Sequence, residues 1–513
     1  MRFLTDCSPA SPFWTAAAKG KAPIAEWTFQ KRSIGSNIPL MEMPIPTLDR
    51  SSKAGLYRQV VESIESAILR GELLPGARLP SERDLARRLH VSRTTVVNAY
   101  KELEARGLAR GYVGRGTFVA AGPQQEGGSF AWRGKVSLAA MRTVDPTLRW
   151  LARTVSDPNV ISFAAALPAL DHFPLDAFAD ATQALLKQGA ERTLSLCPTE
   201  GHPALRGELA AHFGVPMEQV LVLSGAQQGL DLITRCLLDP GDAVIMERPG
   251  YVGAIQTFRA VGAHIVGWDV ERADLDELED LIVRYRPKLL YVNPTFQNPT
   301  GAVMPLGTRR ALLELATRYR LPIVEDEPYR DLWFERPPPP ALVNLDLHQV
   351  VIHLGTFSKT LASGLRVGWI TAAAEIVDQL ALLKQRCDVS SASLEQQVVS
   401  HLLRHGHFDR HMQALRVEHR RRYEAMQAAL REHLPPGTLT WSPVNGGLYL
   451  WGRFGRGIEG HELLLRAAPA GVVFLNGEAF YPDGLGRHEL RLCFSSQPPP
   501  RITDGIRRLA RLV

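Results

Sequence analysis

The sequence predicts a multidomain protein, in which a small, basic and mainly helical module precedes a larger α/β domain built on a doubly wound sheet. The chain has 513 residues, too many for a single hydrophobic core. Helical periodicity dominates from Leu56 to about residue 105, whereas beyond residue 150 short apolar strands alternate with helices. Residues 51–120 also hold twelve Lys and Arg against seven Asp and Glu, which accounts for most of the net charge of +6. We therefore expect two parts with different tasks.

The composition excludes several classes of protein. Hydrophobic residues make up 45% of the chain and charged residues 22%, which is ordinary for a soluble globular protein. The five cysteines show no C-x-x-C spacing, which argues against a disulfide framework or a zinc site and fits a reducing cytoplasm. The sequence contains no run of about 18 apolar residues. We expect a cytoplasmic protein that does not enter a membrane.

Composition also indicates where the domains begin and end. Residues 1–50 are rich in proline and small residues without periodicity, so we expect a disordered arm. Residues 121–150 begin with a polar, glycine-containing stretch that is typical of a linker. The basic module then occupies 51–120, and the α/β domain occupies 151–513.

Three helices are predicted within the basic module. Ser81 and Ser92 are suited to cap the second and third helices, and Asp84 completes a pattern similar to a capping box. The apolar positions expected to face the core are Val60, Ile64, Ala67, Ile68, Leu85, Ala86, Leu89, Val96, Val97, Tyr100 and Leu103. Polar side chains then remain on the outer face of the third helix, as in a helix that reads the DNA major groove. After Gly107, the stretch LARGYVGRGTFVA predicts a two-stranded wing.

The blocks LPSERDLA, VSRTTV and GRGTFV occur in an order and spacing that resemble the winged helix-turn-helix of GntR-type bacterial regulators. The resemblance implies binding to double-stranded DNA. The residues expected to contact DNA are Arg83, Ser92, Arg93, Thr94, Thr95, Arg115 and Gly116. The alternative is a helical subdomain with a solvated basic face.

In the larger domain, Lys359 follows an apolar run, 350–354, that reads as a buried parallel strand. Open α/β sheets bind ligands at this end of their strands. Thr356, Ser358 and Arg366 are suited to hold phosphate oxygens. A reactive amine beside a phosphate site suggests a Schiff base with pyridoxal 5'-phosphate. The alternative is a solvated lysine in a turn.

Three further loops follow predicted strands. Ser224 and Gly225 separate the strand 220–223 from a helix that begins with Ala226 and Gln227, where free backbone N–H groups attract an anion. The other candidates are Tyr251, which could stack on a planar ring, Asn298 and Tyr329, which could bind a ring oxygen, and Asp326, which could pair with a ring nitrogen. Taken singly, Tyr251 could equally be a loop anchor and Asp326 a helix cap.

From about Ile161 to Leu512 the order and spacing of these loops resemble the fold-type I aminotransferases. The resemblance implies that Lys359 bonds to the cofactor, Asp326 pairs with its pyridine nitrogen, and Asn298 and Tyr329 hold its phenolic oxygen. It implies a phosphate site at Ser224, Gly225, Ala226, Gln227, Thr356, Ser358 and Arg366, ring stacking by Tyr251, and a substrate or effector carboxylate at Arg491. Residues from about 390 to 513 resemble the family's small α+β domain. The basic run HRRRY at 419–423 reads as a solvated helix face.

Two positions depart from the aminotransferase pattern. Ala166 stands where the family usually has glycine in a substrate loop, so an extra methyl crowds the site. Leu196 stands where aminotransferases commonly place a tyrosine that reaches a neighbouring subunit's phosphate. Both changes weaken the case for efficient turnover without affecting cofactor attachment, and they favour a sensor.

A GntR-type module joined to an aminotransferase-like domain resembles the MocR subfamily of bacterial regulators, which implies a homodimer. Our hypothesis is a transcription regulator that binds pyridoxal phosphate through Lys359 and senses an amine, an amino acid or the cofactor itself. The alternative is an active aminotransferase whose DNA-binding domain controls its own synthesis. Whether the protein is an enzyme thus stays undecided. Transamination is the most activity that we expect of it.

Overall fold

The computed structural model describes residues 48, 55–69, 73, 77–112, 116–120, 136–137, 140, 157 and 159–513 except 456. The chain divides into two compact units, Met1–Lys135 and Val136–Val513. The predicted disordered arm, 1–50, lies outside the described residues except for Leu48, as do most of the predicted linker and the candidate DNA contact Arg115.

Among its described residues, the first unit contains three helices and a hairpin. The helices are α1 (Leu56–Leu69), α2 (Glu82–Leu89) and α3 (Arg93–Ala105), and the antiparallel strands are β1 (Ala109–Tyr112) and β2 (Gly116–Val119). The predicted caps are confirmed, because the hydroxyls of Ser81 and Ser92 accept hydrogen bonds from the backbone N–H groups of Asp84 and Thr95, each at 3.1 Å.

The core of the first unit differs from the prediction at four positions of α1 and α3. Val61 and Ala99 are buried, whereas Ile68 and Val97 are only partly buried. In α3 the buried positions 96, 99, 100 and 103 follow helical spacing, and residue 97 falls at the margin of that stripe. The other predicted core positions of α1, α2 and α3 are confirmed.

A seven-stranded sheet forms the centre of the second unit. After the short β3 (Ile161–Ser162), its strands are β4 (Val220–Leu223), β5 (Ala243–Arg248), β6 (His264–Asp269), β7 (Leu289–Val292), β8 (Ile323–Asp326), β9 (Val351–Thr356) and β10 (Gly368–Thr371). The strand order is β4-β10-β9-β8-β7-β5-β6, and β10 runs antiparallel to both of its neighbours. β9 is buried and parallel to β8, as predicted.

Helices cover both faces of this sheet, because successive strand residues point to opposite sides. The bounds are α4 (Leu175–Leu194), α5 (Pro203–Phe213), α6 (Ala226–Leu237), α7 (Val252–Val261), α8 (Leu275–Tyr285), α9 (Leu306–Tyr319), α10 (Leu342–Leu345) and α11 (Ala374–Asp388). Helices α6, α7 and α11 pack on the face that includes Leu221 and Leu223, and α8, α9 and α10 pack on the other face. The prediction of a doubly wound sheet is confirmed.

The remaining elements form a smaller α+β layer. They are α12 (Ser393–Arg404), α13 (His407–His433), β11 (Leu439–Trp441), β12 (Tyr449–Phe454), α14 (Gly460–Ala467), β13 (Val472–Val473), β14 (Leu475–Asn476), β15 (Glu489–Cys493) and α15 (Pro499–Ala510). Four of these strands make a sheet in the order β11-β12-β15-β14, and β13 pairs with β3. Helix α12 packs with Val220 and Val222 of the large sheet, whereas α13 and the small sheet share a core that also includes Ile161 and Phe163.

The expectation of a solvated face at 419–423 was wrong for three of the five residues, because His419, Arg422 and Tyr423 are buried whereas Arg420 and Arg421 are exposed. His419 and Arg422 are 0% and 1% exposed. Arg422 donates to the Glu418 carboxylate at 2.6 Å, to the Ser495 carbonyl at 2.7 Å and to the Asp171 carboxylate. Helical spacing places residues 418, 419 and 422 on the inner side of α13, where these acceptors compensate the buried guanidinium.

Among the described residues, none of the helices combines the length and the apolar character that crossing a bilayer requires.

Candidate functional site

A cavity of about 250 Å³ lies at the carboxyl ends of β4, β7, β8 and β9. The structure brings most of the predicted cofactor and effector residues together in its wall. Those that line it are Ala226, Gln227, Tyr251, Asn298, Asp326, Tyr329, Thr356, Ser358, Lys359, Arg366 and Arg491. Ser224 and Gly225 immediately precede Ala226, at the start of α6.

Lys359 lies three residues beyond the end of β9. Its Nζ donates a hydrogen bond to the carbonyl of Ala166 at 2.8 Å. Removal from water lowers the pKa of Lys359 to about 8, and the positive charge of Arg491 acts in the same direction. A lysine with a lowered pKa keeps a larger neutral fraction near neutral pH, and only the neutral amine is a nucleophile.

The Asp326 carboxylate is 5% exposed and accepts a hydrogen bond from the hydroxyl of Tyr291 at 2.5 Å. Burial raises the pKa of Asp326 to about 6. A buried carboxylate requires a positive partner or several donors. No cation makes an ion pair with Asp326 among the described residues, so the group is incompletely compensated.

Asn298 connects three parts of the cavity. Its backbone N–H donates to Asn293 Oδ1 at 2.7 Å, its Nδ2 donates to the Tyr329 hydroxyl at 3.2 Å, and its Oδ1 accepts from Arg491 at 2.9 Å. Burial raises the pKa of Tyr329, so its phenol stays protonated. Asn298, Tyr329 and Arg491 therefore form one network along the wall.

Arg491, on β15, is 4% exposed and points its guanidinium at the cavity network. A second of its nitrogens donates to the carbonyl of Ala164, whereas Nε has no partner among the described residues. The guanidinium also lies 4.9 Å from the ring centre of Tyr449 and 5.3 Å from that of Phe480. Arg491 is thus a buried cation with one donor, Nε–H, that has no partner among the described residues.

The predicted phosphate site is a compact arrangement of donors around the start of α6. Gly225 has φ of +89°, and a Cβ there would lie 2.5 Å from a nitrogen of Arg366. Arg366 donates to the Ser224 carbonyl at 3.0 Å, and Ser358 N–H donates to Thr356 Oγ at 3.1 Å. The backbone conformation therefore favours glycine, and an added Cβ would have to displace the guanidinium of Arg366.

Tyr251 lies at the start of α7, and its hydroxyl donates to Gln227 Oε1 at 3.2 Å. Burial raises the pKa of Tyr251 to about 12, so the phenol is neutral. Gln227 Nε2 in turn donates to Thr257 at 2.9 Å. The two side chains hold each other in the cavity wall.

Sequence reasoning missed several residues that support this site. Tyr291 lies near the end of β7 and Asn293 directly follows the strand, and the Tyr291 hydroxyl reaches the site at Asp326. Asp388 accepts from Ser224 Oγ at 3.2 Å and from Gln228 at 2.7 Å, and Lys384, which is 0% exposed, lies 3.1 Å from its other oxygen. No sequence signal connects Asp388 with the cavity, because Ser224 and Gln228 lie 164 and 160 residues away from it.

In the first unit, the predicted DNA contacts lie near the start of α2 and α3. Arg83, Ser92, Arg93 and Thr94 are exposed and Thr95 is partly buried. Arg93 donates to the Glu82 carboxylate at 2.9 Å and 3.1 Å, while Ser92 and Thr95 join their hydroxyls at 2.8 Å. Gly116 starts β2 with φ of +100°. The predicted DNA contacts other than Arg115 thus lie among the described residues, and the Glu82 carboxylate engages Arg93.

Two family models match the chain. Residues 158–509 match aminotransferase class I and II, and residues 56–119 match the gntR family of bacterial regulatory proteins. The crystal structure of LysN, an α-aminoadipate aminotransferase from Thermus thermophilus complexed with N-(5'-phosphopyridoxyl)-L-leucine, is similar with 36% identity and a TM-score of 0.71. The similarity covers 75% of this chain and 98% of that one.

Regulators are similar over both parts of the chain. The HTH-type transcriptional regulator TauR of Rhodobacter capsulatus is 31% identical over 92% of this chain and 99% of its own length. The "Probable rhizopine catabolism regulatory protein MocR" of Rhizobium meliloti is 32% identical, over 83% of this chain and 87% of its own length.

Proposed function

Because the chain belongs to the aminotransferase class I and II family and joins that domain to a GntR-type helix-turn-helix, as MocR-type regulators do, we propose that it is a transcription regulator that detects an amine or amino acid through cofactor-bound Lys359. The helix-turn-helix implies binding to DNA. The aminotransferase family makes pyridoxal 5'-phosphate the cofactor of the larger domain.

The observation that supports the proposal most strongly is the convergence of complementary groups in one cavity. The wall contains an amine of lowered pKa on Lys359, an incompletely compensated carboxylate on Asp326, and a glycine cradle with Arg366 at a helix start. These match the aldehyde, the protonated ring nitrogen and the phosphate of the cofactor. When bound, pyridoxal phosphate supplies an aldehyde that condenses with primary amines and a ring that withdraws electrons.

Each residue then has a separate task. Asp326 would keep the ring nitrogen protonated, and Asn298 with Tyr329 would donate to the ring oxygen. Arg491 would bind a carboxylate of the effector, since its guanidinium is buried and its Nε has no partner among the described residues. The Ala166 carbonyl would hold the amine of Lys359 whenever an effector amine takes the lysine's place.

Regulation requires that the effector bind two states of the protein with different affinity. We propose a homodimer in which an amine that displaces Lys359 changes the affinity of the GntR-type domains for DNA. The effector class is an amine or amino acid, and a carboxylate-bearing ligand uses Arg491.

The proposal is tested by borohydride reduction and mass spectrometry of the full-length protein loaded with pyridoxal phosphate. We expect a covalent adduct on Lys359 that is absent from Lys359→Ala and retained by Lys187→Ala, which alters an exposed lysine of α4. The same proteins are then footprinted on their promoter DNA while candidate amines are added. A wild-type protein without an adduct, or a full amine response from Lys359→Ala, would refute the proposal.

The second candidate is an active aminotransferase with an autoregulatory DNA-binding domain, and the similarity to LysN over 98% of that chain favours it. Steady turnover of amino acids with 2-oxoglutarate at rates typical of metabolic enzymes, about 1–1000 s⁻¹, would support this candidate. A footprint that changes with pyridoxal phosphate alone, and no further with any amine, would instead identify the cofactor as the signal.

A further inference from the structure

A buried ion pair lies next to the start of α6, and neither of its residues lines the cofactor cavity. Lys384 and Asp388 are one turn apart in α11, and Lys384 Nζ lies 3.1 Å from Asp388 Oδ1. The side chain of Lys384 is 0% exposed and that of Asp388 is 24% exposed. A buried ammonium requires a carboxylate close by, because removal from water disfavours its charge. The lysine thus occupies one oxygen of Asp388, and Oδ2 remains for other donors.

Two donors on Asp388 Oδ2 come from residues around the start of α6. Gln228 Nε2 donates to it at 2.7 Å and Ser224 Oγ at 3.2 Å. An ionised carboxylate only accepts hydrogen bonds, so Asp388 determines that the amide nitrogen of Gln228 faces it. The other end of the amide, Gln228 Oε1, is thereby turned to the backbone N–H of Ser224, which donates to it at 2.7 Å.

Ser224 is held from three directions. Its N–H reaches Gln228, its hydroxyl reaches Asp388, and its carbonyl accepts from Arg366 at 3.0 Å. The single hydroxyl proton of Ser224 cannot serve Asp388 and a phosphate at the same time. These contacts favour a supporting task for Ser224 over direct contact with a phosphate.

The position of Ser224 determines how α6 begins. Gly225 follows it and has no side chain to cap the helix, so the first backbone N–H groups of α6 are left for an anion. Ala226 and Gln227, at this start, both line the cofactor cavity. Donors in a binding site must be held to within about 0.5 Å of the productive geometry, which requires support from the residues behind them.

We infer that Asp388 is a positioning residue of the cofactor site: with its charge balanced by Lys384, it orients Gln228 and Ser224 so that the first N–H groups of α6 face the phosphate of pyridoxal phosphate. The inference rests on the proposed function, because it assigns a task within that cofactor site. Loss of the Asp388 acceptor therefore weakens binding of the phosphate group and leaves the reaction of the aldehyde with Lys359 unchanged.

The test compares two double variants that remove the buried lysine together with the charge of Asp388. Lys384→Met, Asp388→Asn keeps an oxygen that accepts from Gln228 and Ser224, whereas Lys384→Met, Asp388→Ala has no acceptor there. Absorbance titrations of the full-length protein measure the affinity for pyridoxal phosphate and for pyridoxal, which carries the same aldehyde without a phosphate.

We expect the alanine variant to bind pyridoxal phosphate at least about tenfold more weakly than the wild type, and pyridoxal within about twofold of the wild type. The asparagine variant should bind both ligands within about threefold of the wild type, because its oxygen preserves the two contacts.

Further variants separate positioning from general effects. Gln228→Met removes the intermediate acceptor and should reproduce the selective loss, and its addition to the alanine variant should change the affinity little further, because both changes break the same chain of contacts. Asp378→Ala alters an exposed carboxylate of α11 and should leave both affinities unchanged. Urea unfolding of each cofactor-free variant verifies that it is folded.

The outcomes distinguish this inference from the proposed function. An alanine variant that binds pyridoxal phosphate like the wild type, that loses both ligands equally, or whose loss the asparagine variant shares would overturn the inference and leave the proposed function intact. A wild-type protein that binds no pyridoxal phosphate would instead refute the proposed function, and this inference with it.

Discussion

Replacement of Asp326 by asparagine should stabilise the cofactor-free protein while it weakens cofactor binding. The Asp326 carboxylate is 5% exposed, and among the described residues its side chain accepts from the Tyr291 hydroxyl. Asparagine has nearly the same shape and keeps an oxygen for Tyr291, but it has no charge to bury. The variant therefore removes the electrostatic cost of the site together with its affinity for a cation.

The magnitude follows from the pKa of Asp326, which burial raises from 3.8 to about 6. A raised pKa means that the folded protein binds the proton more tightly than the unfolded chain, so the ionised form destabilises the fold. This difference of about two pKa units corresponds to roughly 3 kcal/mol at 1.36 kcal/mol per unit. The cost is absent below pH 3.8, develops between pH 3.8 and about pH 6, and is complete above that.

Urea unfolding of cofactor-free wild-type and Asp326→Asn proteins, at about pH 7 and about pH 4, measures this effect. We expect the variant to be more stable by up to about 3 kcal/mol at the higher pH and by little at the lower one. Pyridoxal phosphate should then stabilise the wild type much more than the variant, because it binds the ionised carboxylate. Equal stabilities at both pH values, or equal cofactor affinities, would refute the reasoning.

Three further substitutions test separate parts of the molecule. Gly225→Ala should lower cofactor affinity more than tenfold and destabilise the fold by about 1–2 kcal/mol, measured by cofactor titration and urea unfolding, because its Cβ would lie 2.5 Å from Arg366 at a φ of +89°. Arg93→Ala should weaken DNA binding and lower the salt dependence of the affinity by about one ion, measured by fluorescence anisotropy at several salt concentrations. Arg422→Leu should destabilise the fold by about 3 kcal/mol in urea, because it leaves the buried Glu418 without its 2.6 Å donor.

Matched controls make these outcomes specific. Gly364→Ala alters a glycine at which a Cβ meets no atom within 4 Å, so cofactor affinity should be unchanged. Arg87→Ala alters an exposed cation of α2 outside the predicted DNA contacts, so it should change DNA affinity less than Arg93→Ala. Arg421→Leu also removes a partner of Glu418, but its side chain is 60% exposed, so the loss should stay below about 1 kcal/mol. A control that matches its test variant in effect would contradict the corresponding explanation.

The sequence was informative wherever a function depends on a local pattern. Lys359, Asp326 and Asn298 each follow a strand, and parallel strands end at one edge of a sheet, so their convergence was predictable. Ser81 and Ser92 were predictable because capping is a contact within one helical turn.

The residues that sequence reasoning missed depend on contacts between distant segments. Asp388 accepts from Gln228 and Ser224, which lie 160 and 164 residues away, and no spacing along the chain encodes these two contacts. Arg422 lies in a run of charges that is typical of an exposed helix, yet the acceptors that bury it come from Asp171 and Ser495 as well as from Glu418 in its own helix. Burial of a charge is thus decided by tertiary partners, which a local pattern does not contain.

The distinction between a sensor and an enzyme depends on what the cavity does after an amine enters it. Holding a cofactor requires only static donors and acceptors, and Asp326, Gly225 and Arg366 provide them within one chain. Turnover also requires that the displaced Lys359 move a proton and that the product leave. Here Lys359 Nζ has a ready acceptor in the Ala166 carbonyl at 2.8 Å, and a protonated amine bound there cannot act as a base. Leu196, which is 79% exposed, offers no hydroxyl. Under the proposed function, these two features would leave binding intact and slow the later steps, which is the difference expected between a sensor of amines and an enzyme that converts them.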